Sequence, residues 1–386
     1  MMPSQPRIAM VAGEASGDLL ASLLLGGMRG LWPDLQAFGI GGPQMASQGF
    51  NAWWPSDRLA VHCYSVELLR RLVELVRIRR QLRARLLAAP PSVFIGVDAP
   101  DFNLALEADL RAAGTRTVHF VCPSIWAWRA DRVEKIRRAA DHVLCIFPFE
   151  PALLAKHGIA ATYVGHPLAA VIPREPDRAA ARARLGLPQE GPVLAILPGS
   201  RSAEVQYITP AFFKAAALIR QAFPAIKIVV PAVPALQERI TACARDCGMQ
   251  DALQIVTGQS HTVLAACDVT LIASGTATLE AALFKRPMVI GYRMHPVSWR
   301  LMRRRQLQPW VGLPNILCQD FVVPELIQDA ATPEALAAAV LEWFDAYQSR
   351  SDRITALQKR FAALHDTLAR NTSELASDAI RQIIEA

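Results

Sequence analysis

The chain has 386 residues, of which 52% are hydrophobic and 19% charged. This length exceeds what one hydrophobic core usually organises, and the apolar content excludes an extensively disordered protein, so we expect two folded domains. The formal net charge of +7 is compatible with phosphorylated substrates, anionic lipid or nucleic acid, and the sum alone does not choose among them.

The hydrophobic runs and the spacing of the cysteines indicate a cytosolic protein. No apolar run reaches the about 18 residues of a membrane-spanning helix, and the short run at 8–12 is followed at once by acidic residues, so we expect no span and no signal peptide. The seven cysteines include no CxxC pair, which favours reduced thiols. HExxH, GxSxG, Walker A and DxD motifs are absent, so the sequence gives no support for a metal.

The first half of the chain alternates short β-branched runs with longer helical patterns. This alternation is typical of a parallel sheet covered by helices. The first predicted strand is followed by a glycine-containing turn and by a helix that starts at about Ser16. The strands predicted in this half cover residues 7–12, 37–40, 93–97, 117–120, 142–146 and 162–164.

Three prolines within 167–177 predict an interdomain linker, because proline stiffens the backbone and removes a donor. The alternation then restarts, and after Pro333 the pattern is purely helical. We therefore predict an α/β protein with two doubly wound domains, at 1–170 and 171–350, and C-terminal helices at 351–386. The predicted strands of the second half are 193–197, 226–230, 253–256, 269–272 and 288–292, with helices at 210–223 and 276–284 among them.

Ligands of open parallel sheets bind beyond the carboxyl ends of the strands, so the loops after strands are the candidate sites. The strongest signal is SGTATLE at 274–280, directly after a predicted strand. Ser274, Gly275 and Thr276 are small enough for a phosphate to reach the free N–H groups of the helix start. Glu280 lies one turn further, where a carboxylate can accept both ribose hydroxyls. An ordinary capped helix start has the same sequence pattern.

A second candidate anion-binding loop is LPGSR at 197–201. Gly199 permits a tight turn, Ser200 follows it, and Arg201 presents several donors to a diphosphate at once. The alternative is a turn that carries a solvated arginine. Two such loops in one half of the chain strengthen each other.

Candidates in the first half lie after predicted strands too. Asp98, at the end of a buried strand, is shielded enough to act as a general base, and the alternative is an ordinary turn or cap residue. Asp101 is better placed to cap the next helix. In GEASGD (13–18), Glu14 and Ser16 are expected to face the ligand, and Asp18 to cap or solvate a helix. Neither this turn nor GIGGP (39–43) fits the GxGxxG spacing, so a nicotinamide cofactor is not indicated.

Aromatic and imidazole side chains are weaker candidates for the sugar side. Trp126 and Trp128 can stack on sugar faces, although a core or interface role is equally compatible with the pattern. His166 lies at a strand end before the linker, where contact with a ligand is the less favoured of its two interpretations and a purely structural role is the other.

Two stretches, 67–87 and 294–310, combine arginines with leucine, isoleucine, methionine and tryptophan at helical spacing. Such helices suit the surface of an anionic membrane. The alternative is a helix with one core face and one solvated basic face. We favour membrane contact.

With these residues laid out, the chain resembles lipid-A-disaccharide synthases of Gram-negative bacteria. The resemblance covers most of the chain up to about residue 326 and rests on nine motifs in the family's order. They are GEASGD (13–18), GIGGP (39–43), DAPDFN (98–103), PSIWAWR (123–129), VGHPL (164–168), LPGSR (197–201), SGTATLEAAL (274–283), LPNIL (313–317) and VPEL (323–326).

The resemblance implies a GT-B fold, two Rossmann-like lobes around a donor cleft, with C-terminal helices that cross back to the first lobe. It implies inverting transfer of 2,3-diacylglucosamine from UDP-2,3-diacylglucosamine to 2,3-diacylglucosamine 1-phosphate, which gives UDP and the β(1→6)-linked disaccharide 1-phosphate. Neither a metal nor an organic cofactor is expected, and nucleic acid is not an expected partner. The family implies a peripheral protein on the cytoplasmic face of the inner membrane, and a homodimer is left open.

Carried over residue by residue, the resemblance makes Asp98 the base for the acceptor 6-hydroxyl and Glu14 a residue that places the sugar or acceptor. Arg201 would hold the diphosphate, and Asn315 in LPNIL would be an amide near the donor. One departure is His62-Cys63, which stands where the family usually has Met-Gly, so acyl-chain preference or membrane docking is expected to differ.

Two other functions are compatible with the same residues. A UDP-sugar epimerase of the same architecture would bind the nucleotide similarly, but it needs acids that act on the sugar ring and has no use for a basic membrane face. A non-catalytic nucleotide-sugar or lipid-binding protein has no use for a shielded base at Asp98. That residue therefore discriminates between a transferase and a binding protein.

Overall fold

The computed structural model describes residues 5–13, 15–59, 66–127 and 129–385. The chain divides into two compact units, a first unit of residues 1–170 and 367–386 and a second unit of residues 171–366. Each unit contains one parallel sheet covered by helices, which confirms the predicted two-lobed α/β fold. The functional domain limits at 170/171 and 350/351 stay a prediction.

The first unit contains a seven-stranded parallel sheet, and β1 and β4 lie near its centre. Its strands in chain order are β1 (Arg7–Ala12), β2 (Gln36–Gly41), β3 (Asn51–Pro55), β4 (Val93–Val97), β5 (Arg116–Phe120), β6 (His142–Cys145) and β7 (Ala161–Tyr163). In space they follow the order β3-β2-β1-β4-β5-β6-β7. The helices up to the end of this segment are α1 (Ala15–Leu31), α2 (Pro43–Ser47), α3 (Val66–Ala88), α4 (Pro100–Ala112), α5 (Val133–Ala139), α6 (Glu150–Ala155) and α7 (Pro167–Val171).

The second unit contains a six-stranded parallel sheet. Its strands are β8 (Val193–Leu197), β9 (Lys227–Ala232), β10 (Leu253–Thr257), β11 (Val269–Ala273), β12 (Met288–Tyr292) and β13 (Glu325–Ile327), in the spatial order β10-β9-β8-β11-β12-β13. Its helices are α8 (Arg178–Arg184), α9 (Ser202–Ala222), α10 (Gln237–Asp246), α11 (Ser260–Ala266), α12 (Thr276–Leu283), α13 (Pro296–Arg305), α14 (Leu313–Cys318), α15 (Pro333–Gln348) and α16 (Asp352–Leu368). In both sheets the central strands are buried on both faces, as their continuous apolar runs require.

The last helix, α17 (Thr372–Glu385), belongs to the first unit and packs on α1. Ser373 Oγ donates to the Leu23 carbonyl over 2.8 Å. A side chain at Gly27 would collide with Ser373 and Ser377, so glycine allows the close approach of the two helices. The predicted return of the C-terminal chain to the first lobe is confirmed for this helix.

All eleven predicted strands are observed, with ends shifted by no more than two residues. The predicted helix at 210–223 starts too late, because α9 begins at Ser202 and contains Pro210 in its interior. Proline usually marks a helix start, since it cannot donate to the carbonyl four residues earlier. Here that carbonyl belongs to the exposed Gln206, where water can replace the missing donor.

Candidate functional site

Asp98 lies in a strained turn immediately after β4. Asp98 and Ala99 both have left-handed backbone conformations, with φ of 52° and 43°. The Asp98 N–H donates to the Phe120 carbonyl over 2.8 Å, and Asn103 Nδ2 donates to the Asp98 carbonyl over 2.8 Å. Such conformations cost about 1–3 kcal/mol each and persist only where surrounding contacts fix them. Within the described residues, the half-buried Asp98 carboxylate has no hydrogen bond or ion pair, so it is available to a ligand.

The GEASGD turn approaches this strained turn through a glycine. A Cβ at Gly13 would lie 3.1 Å from the Ala99 Cβ, which is tighter than usual contact. Ser16, in the first turn of α1, is exposed, as a ligand contact requires. Glu14 lies outside the described residues, as do His62, Cys63 and Trp128.

Asp18 caps a helix, as predicted, although the helix is α2 and not its own. Its buried carboxylate accepts the N–H groups of Gly42, Gln44 and Met45 over 2.9, 2.9 and 3.1 Å. The contact therefore ties GEASGD to GIGGP at the ends of β1 and β2, and both motifs act as one structural unit.

Trp126 is anchored by a buried acid that the sequence analysis did not single out. Its Nε1–H donates to Glu150 Oε1 over 3.0 Å, and the Phe147 N–H donates to Glu150 Oε2 over 3.0 Å. Trp126 also packs edge-on against Phe147 and Phe149. Glu150 has no exposed surface, and burial raises its pKa to about 8. The signal that could have revealed it is an acid that directly follows Phe147-Pro148-Phe149 and opens α6.

His166 is buried beside the same aromatic residues, with its ring centre 5.6 Å from that of Phe147. Desolvation lowers its pKa to about 4, so the ring is neutral at physiological pH. Its Nδ1 accepts the Leu168 N–H over 3.2 Å, which places the remaining proton on Nε2. His166 therefore contributes a neutral donor next to Phe147 rather than a positive charge.

In the second unit, residues 274–280 follow β11 and open α12, as predicted. Gly275 has φ of 149°, and a Cβ built on it would have no neighbour within 4 Å. Thr276 is exposed, and no side chain caps the N-terminus of this helix among the described residues. The first N–H groups of α12 are therefore accessible to an anion.

Two further contacts shape this helix start. Ser274 Oγ donates to the Val311 carbonyl over 3.3 Å, so the hydroxyl is used to hold the neighbouring loop. Glu280 Oε2 lies 3.5 Å from His261 Nε2, and its side chain is 18% exposed. A partly exposed carboxylate with one weak partner can still accept hydroxyl donors from a ligand.

The LPGSR loop follows β8 and is organised by Glu204, a second residue that the sequence analysis missed. Its Oε2 accepts the Ser200 and Arg201 N–H groups over 3.2 and 3.3 Å. A Cβ at Gly199, where φ is 107°, would lie 2.6 Å from that oxygen. The Arg201 side chain is 77% exposed and reaches Glu204 Oε1 over a long 3.4 Å, so its guanidinium is free to turn to a ligand. An acid three residues after a helix start was the available signal.

Asn315 is fully buried, and its amide is engaged within the protein. Nδ2 donates to the Val323 carbonyl and to Glu325 Oε1 over 2.9 and 2.8 Å, and Oδ1 accepts the Val323 N–H. Glu325 in turn accepts the N–H groups of Val311 and Gly312. Burial raises the pKa of Glu325. Asn315 thus supports the loop that Ser274 contacts, and its direct role toward a donor stays a prediction.

Candidate metal ligands and membrane spans give no additional site. Among the described residues, no group of three or more histidine, cysteine or acidic side chains could hold a metal ion. In the same part of the chain no helix is both long and apolar enough to cross a bilayer. The six described cysteines are free thiols.

Comparison with known proteins identifies relatives over the whole chain. The family model "LpxB: Lipid-A-disaccharide synthetase" matches residues 8–380. Lipid-A-disaccharide synthase of Verminephrobacter eiseniae is 70% identical over 383 residues, which cover 99% of this chain and 98% of that protein. The enzyme of the same name from Albidiferax ferrireducens is 68% identical over 379 residues, which cover 98% of this chain and 97% of that protein.

Solved structures resemble the chain in fold. MnaA of S. aureus, in a co-structure with UDP, has a TM-score of 0.63 at 10% identity and covers 98% of this chain and 96% of its own. UDP-GlcNAc 2-epimerase of Methanocaldococcus jannaschii, in complex with UDP-GlcNAc and UDP, has a TM-score of 0.59 at 12% identity. The match covers 98% of this chain and 100% of the epimerase chain. At these identities the likeness shows the fold alone, and that fold is GT-B.

Proposed function

Because the chain belongs to the lipid-A-disaccharide synthase family, we propose that it transfers 2,3-diacylglucosamine from UDP-2,3-diacylglucosamine to 2,3-diacylglucosamine 1-phosphate. The protein is a glycosyltransferase of lipid A biosynthesis. The proposed products are UDP and the β(1→6)-linked disaccharide 1-phosphate. Inversion at the anomeric carbon follows from a single displacement by the acceptor hydroxyl.

Asp98 carries this proposal as the general base. Its carboxylate takes the proton of the acceptor 6-hydroxyl while that oxygen forms the bond to the anomeric carbon and the bond to the UDP oxygen breaks. The supporting observation is the strained turn, which holds Asp98 by both its N–H and its carbonyl and leaves the carboxylate unpaired within the described residues. A base in place for proton removal typically contributes 10²–10⁴-fold. We assign Glu14 the placement of the sugar or acceptor.

The second unit supplies the donor residues in this proposal. Ser274, Gly275 and Thr276 receive the phosphates at the open start of α12, where backbone N–H groups and the helix dipole favour anions. Glu280 accepts the ribose hydroxyls. Asn315 acts through Glu325 and the loop at Val311.

The loop at 199–201 stabilises the leaving group in the same proposal. Gly199 and Ser200 form its tight turn. The exposed Arg201 guanidinium turns to the diphosphate as negative charge develops on UDP, which stabilises the transition state more than the ground state.

Ser16, Trp126 and His166 form the proposed acceptor and sugar side. Trp126 offers an indole face that its hydrogen bond to Glu150 keeps fixed, and His166 offers a neutral N–H donor. Neutral and aromatic groups suit an uncharged sugar ring. No cofactor enters this scheme.

We also propose that the protein works as a peripheral protein on the cytoplasmic face of the inner membrane. On α3, Val73 and Val76 are 67% and 47% exposed and lie beside the Arg77 and Arg80 positions. On α13, exposed Val297 and Leu301 share a helix with several arginines. Exposed apolar side chains next to arginines match the boundary between acyl chains and anionic headgroups.

Incubation with UDP-2,3-diacylglucosamine and 2,3-diacylglucosamine 1-phosphate tests the proposal, with mass spectrometry of the lipid products. We expect a disaccharide 1-phosphate and stoichiometric UDP. A folded protein that returns both substrates unchanged would refute the assignment. The same experiment, with chromatographic separation of sugar isomers, detects a UDP-sugar epimerase.

A further inference from the structure

Asn103 contacts the backbone of Asp98 from inside the first unit. Its side chain has no exposed surface, and Nδ2 donates to the Asp98 carbonyl over 2.8 Å. The same nitrogen lies 3.4 Å from the carbonyls of Val97 and Val11. One amide group therefore joins the end of β1, the end of β4 and the strained turn that carries the proposed base.

A buried acid–histidine contact lies one helical turn further along α4. Glu107 Oε1 and His119 Nδ1 are 2.7 Å apart, and neither side chain has exposed surface. His119 is the neighbour of Phe120, whose carbonyl accepts the Asp98 N–H. Burial raises the pKa of Glu107, and the nearby His119 opposes that rise. The contact fixes α4 to β5 close to both residues that hold the Asp98 backbone. Phe120 accepts the Asp98 N–H, and Asn103 donates to the Asp98 carbonyl.

Strand β4 has a glycine, Gly96, where it faces Asn103 and Glu107. A side chain at Gly96, the last residue but one of β4, would collide with Glu107 Oε1 and would approach the Asn103 Cβ to 2.9 Å. Glycine weakens a strand interior, so its presence here indicates that the space is needed by the polar side chains.

The cluster of Asn103, Glu107 and His119 does not maximise the stability of the fold. Asn103 Oδ1, Glu107 Oε2 and His119 Nε2 are buried without a hydrogen-bond partner among the described residues. Each such atom has lost its hydrogen bonds to water without gaining one in the protein, which lowers the stability of the folded state. Apolar side chains of the same shape would avoid that cost, so the presence of polar side chains here needs an explanation other than stability.

We propose that Asn103 is a positioning residue for Asp98, and that the Glu107–His119 contact holds the Asn103-bearing helix in register with β5. This inference rests on the proposed function, because it takes Asp98 as the base. Without the Asn103 donor, the Asp98–Ala99 peptide can relax from its left-handed conformation, and the carboxylate turns away from the acceptor hydroxyl. A displacement of about 1 Å is enough to cost on the order of 10²-fold in rate.

A double-mutant cycle tests the inference. Asn103→Leu keeps the side-chain size and removes the donor, and Asp98→Asn removes the base while retaining a residue that tolerates the left-handed backbone. We expect Asn103→Leu to lower kcat about 10–100-fold with KM nearly unchanged. In the Asp98→Asn background the same change should lower kcat by less than about twofold, because the group it positions is already absent.

Controls separate positioning from loss of fold. Thr117→Val, on the same strand as His119, removes a buried hydrogen bond to the Ala139 carbonyl and a partly buried one to Asp141. It should lower the thermal midpoint without changing kcat. If Asn103→Leu does not fold, Asn103→Ser, whose hydroxyl is too short to reach the Asp98 carbonyl, replaces it in the cycle.

The outcomes are distinguishable from those that test the function itself. A wild-type protein that forms no disaccharide would reject the proposed function. A wild-type protein that does form it, together with equal losses from Asn103→Leu in both backgrounds or no loss at all, would overturn the positioning role of Asn103.

Discussion

The indole N–H of Trp126 donates to the carboxylate of Glu150 over 3.0 Å inside the first unit. The acid has no exposed surface, and burial raises its pKa to about 8, above the ordinary value of 4.5. A loop that carries a predicted sugar contact is therefore fixed by a group that changes charge near physiological pH. This relationship leads to a prediction about stability.

Because the folded-state pKa of Glu150 is raised, the native state binds its proton more tightly than the unfolded chain. The stability contributed by that proton is present at low pH and is lost as the pH rises through about 8. We expect Glu150→Gln to flatten the decrease in unfolding free energy between about pH 5 and 8, by at most about 1.4 kcal/mol per pH unit. Urea unfolding at several pH values measures this. Glu190→Gln, at an exposed position, is the control, and an equal slope in wild type and Glu150→Gln would contradict the prediction.

Asp98→Asn should lower kcat by 10²–10⁴-fold, because the amide cannot accept the proton of the acceptor hydroxyl. The affinity for UDP should stay within about twofold of wild type. The matched control is Asp101→Asn in the same motif, whose side chain is 83% exposed and pairs with Arg132. Steady-state kinetics and UDP titration decide the outcome. More than about a tenth of the wild-type rate in Asp98→Asn would exclude it as the base.

Gly199→Ala should lower both the affinity for UDP and the free energy of unfolding. The new Cβ would lie 2.6 Å from Glu204 Oε2 and would disturb the contacts that shape the LPGSR loop. Gly191→Ala is the matched control, since Gly191 also has a left-handed φ, of 92°, but a Cβ there would meet nothing within 4 Å. Both variants should lose about 1–3 kcal/mol of stability from backbone strain. Only Gly199→Ala should bind UDP more weakly in calorimetric titration, and equal UDP affinities would argue against the role of this loop.

Glu280→Gln should reduce the distinction between UDP and 2′-deoxy-UDP. If the carboxylate accepts the ribose hydroxyls, its loss costs about 1–3 kcal/mol for UDP and less for the deoxy analogue. Glu334→Gln, in the first turn of α15, changes an acid elsewhere in the second unit and should preserve the distinction. Competitive binding of the two nucleotides measures the ratio. A variant that discriminates between them as wild type does would remove Glu280 from the ribose site.

The sequence was sufficient for the two sheets because buried parallel strands form continuous apolar runs, as at 93–97 and 193–197. It was insufficient for β3 and β13. The first of these is an edge strand with partly exposed residues and a terminal proline, and the second has only three residues. Both strands lie at a sheet edge, and neither has the two-sided burial that produces such a run.

For the candidate site, sequence reasoning identified loops more readily than the side chains that hold them. The open start of α12 and the turn at Asp98 were both located by their position after a strand. Glu150 and Glu204 were missed, because their importance comes from burial and from N–H groups that they accept. Neither property has a sequence period. Asn315 was predicted as a ligand, whereas its visible contacts are with Val323 and Glu325.

The packing of α17 on α1 has a consequence for biosynthesis. Ser373 and Leu23 are 350 positions apart in the chain, yet they share a hydrogen bond within one unit. A nascent chain can therefore form the whole second unit on the ribosome before the first is complete. Premature termination shortly after α16 would leave the apolar face of α1 uncovered at the opposite end of the polypeptide, where quality-control proteases recognise exposed hydrophobic surface.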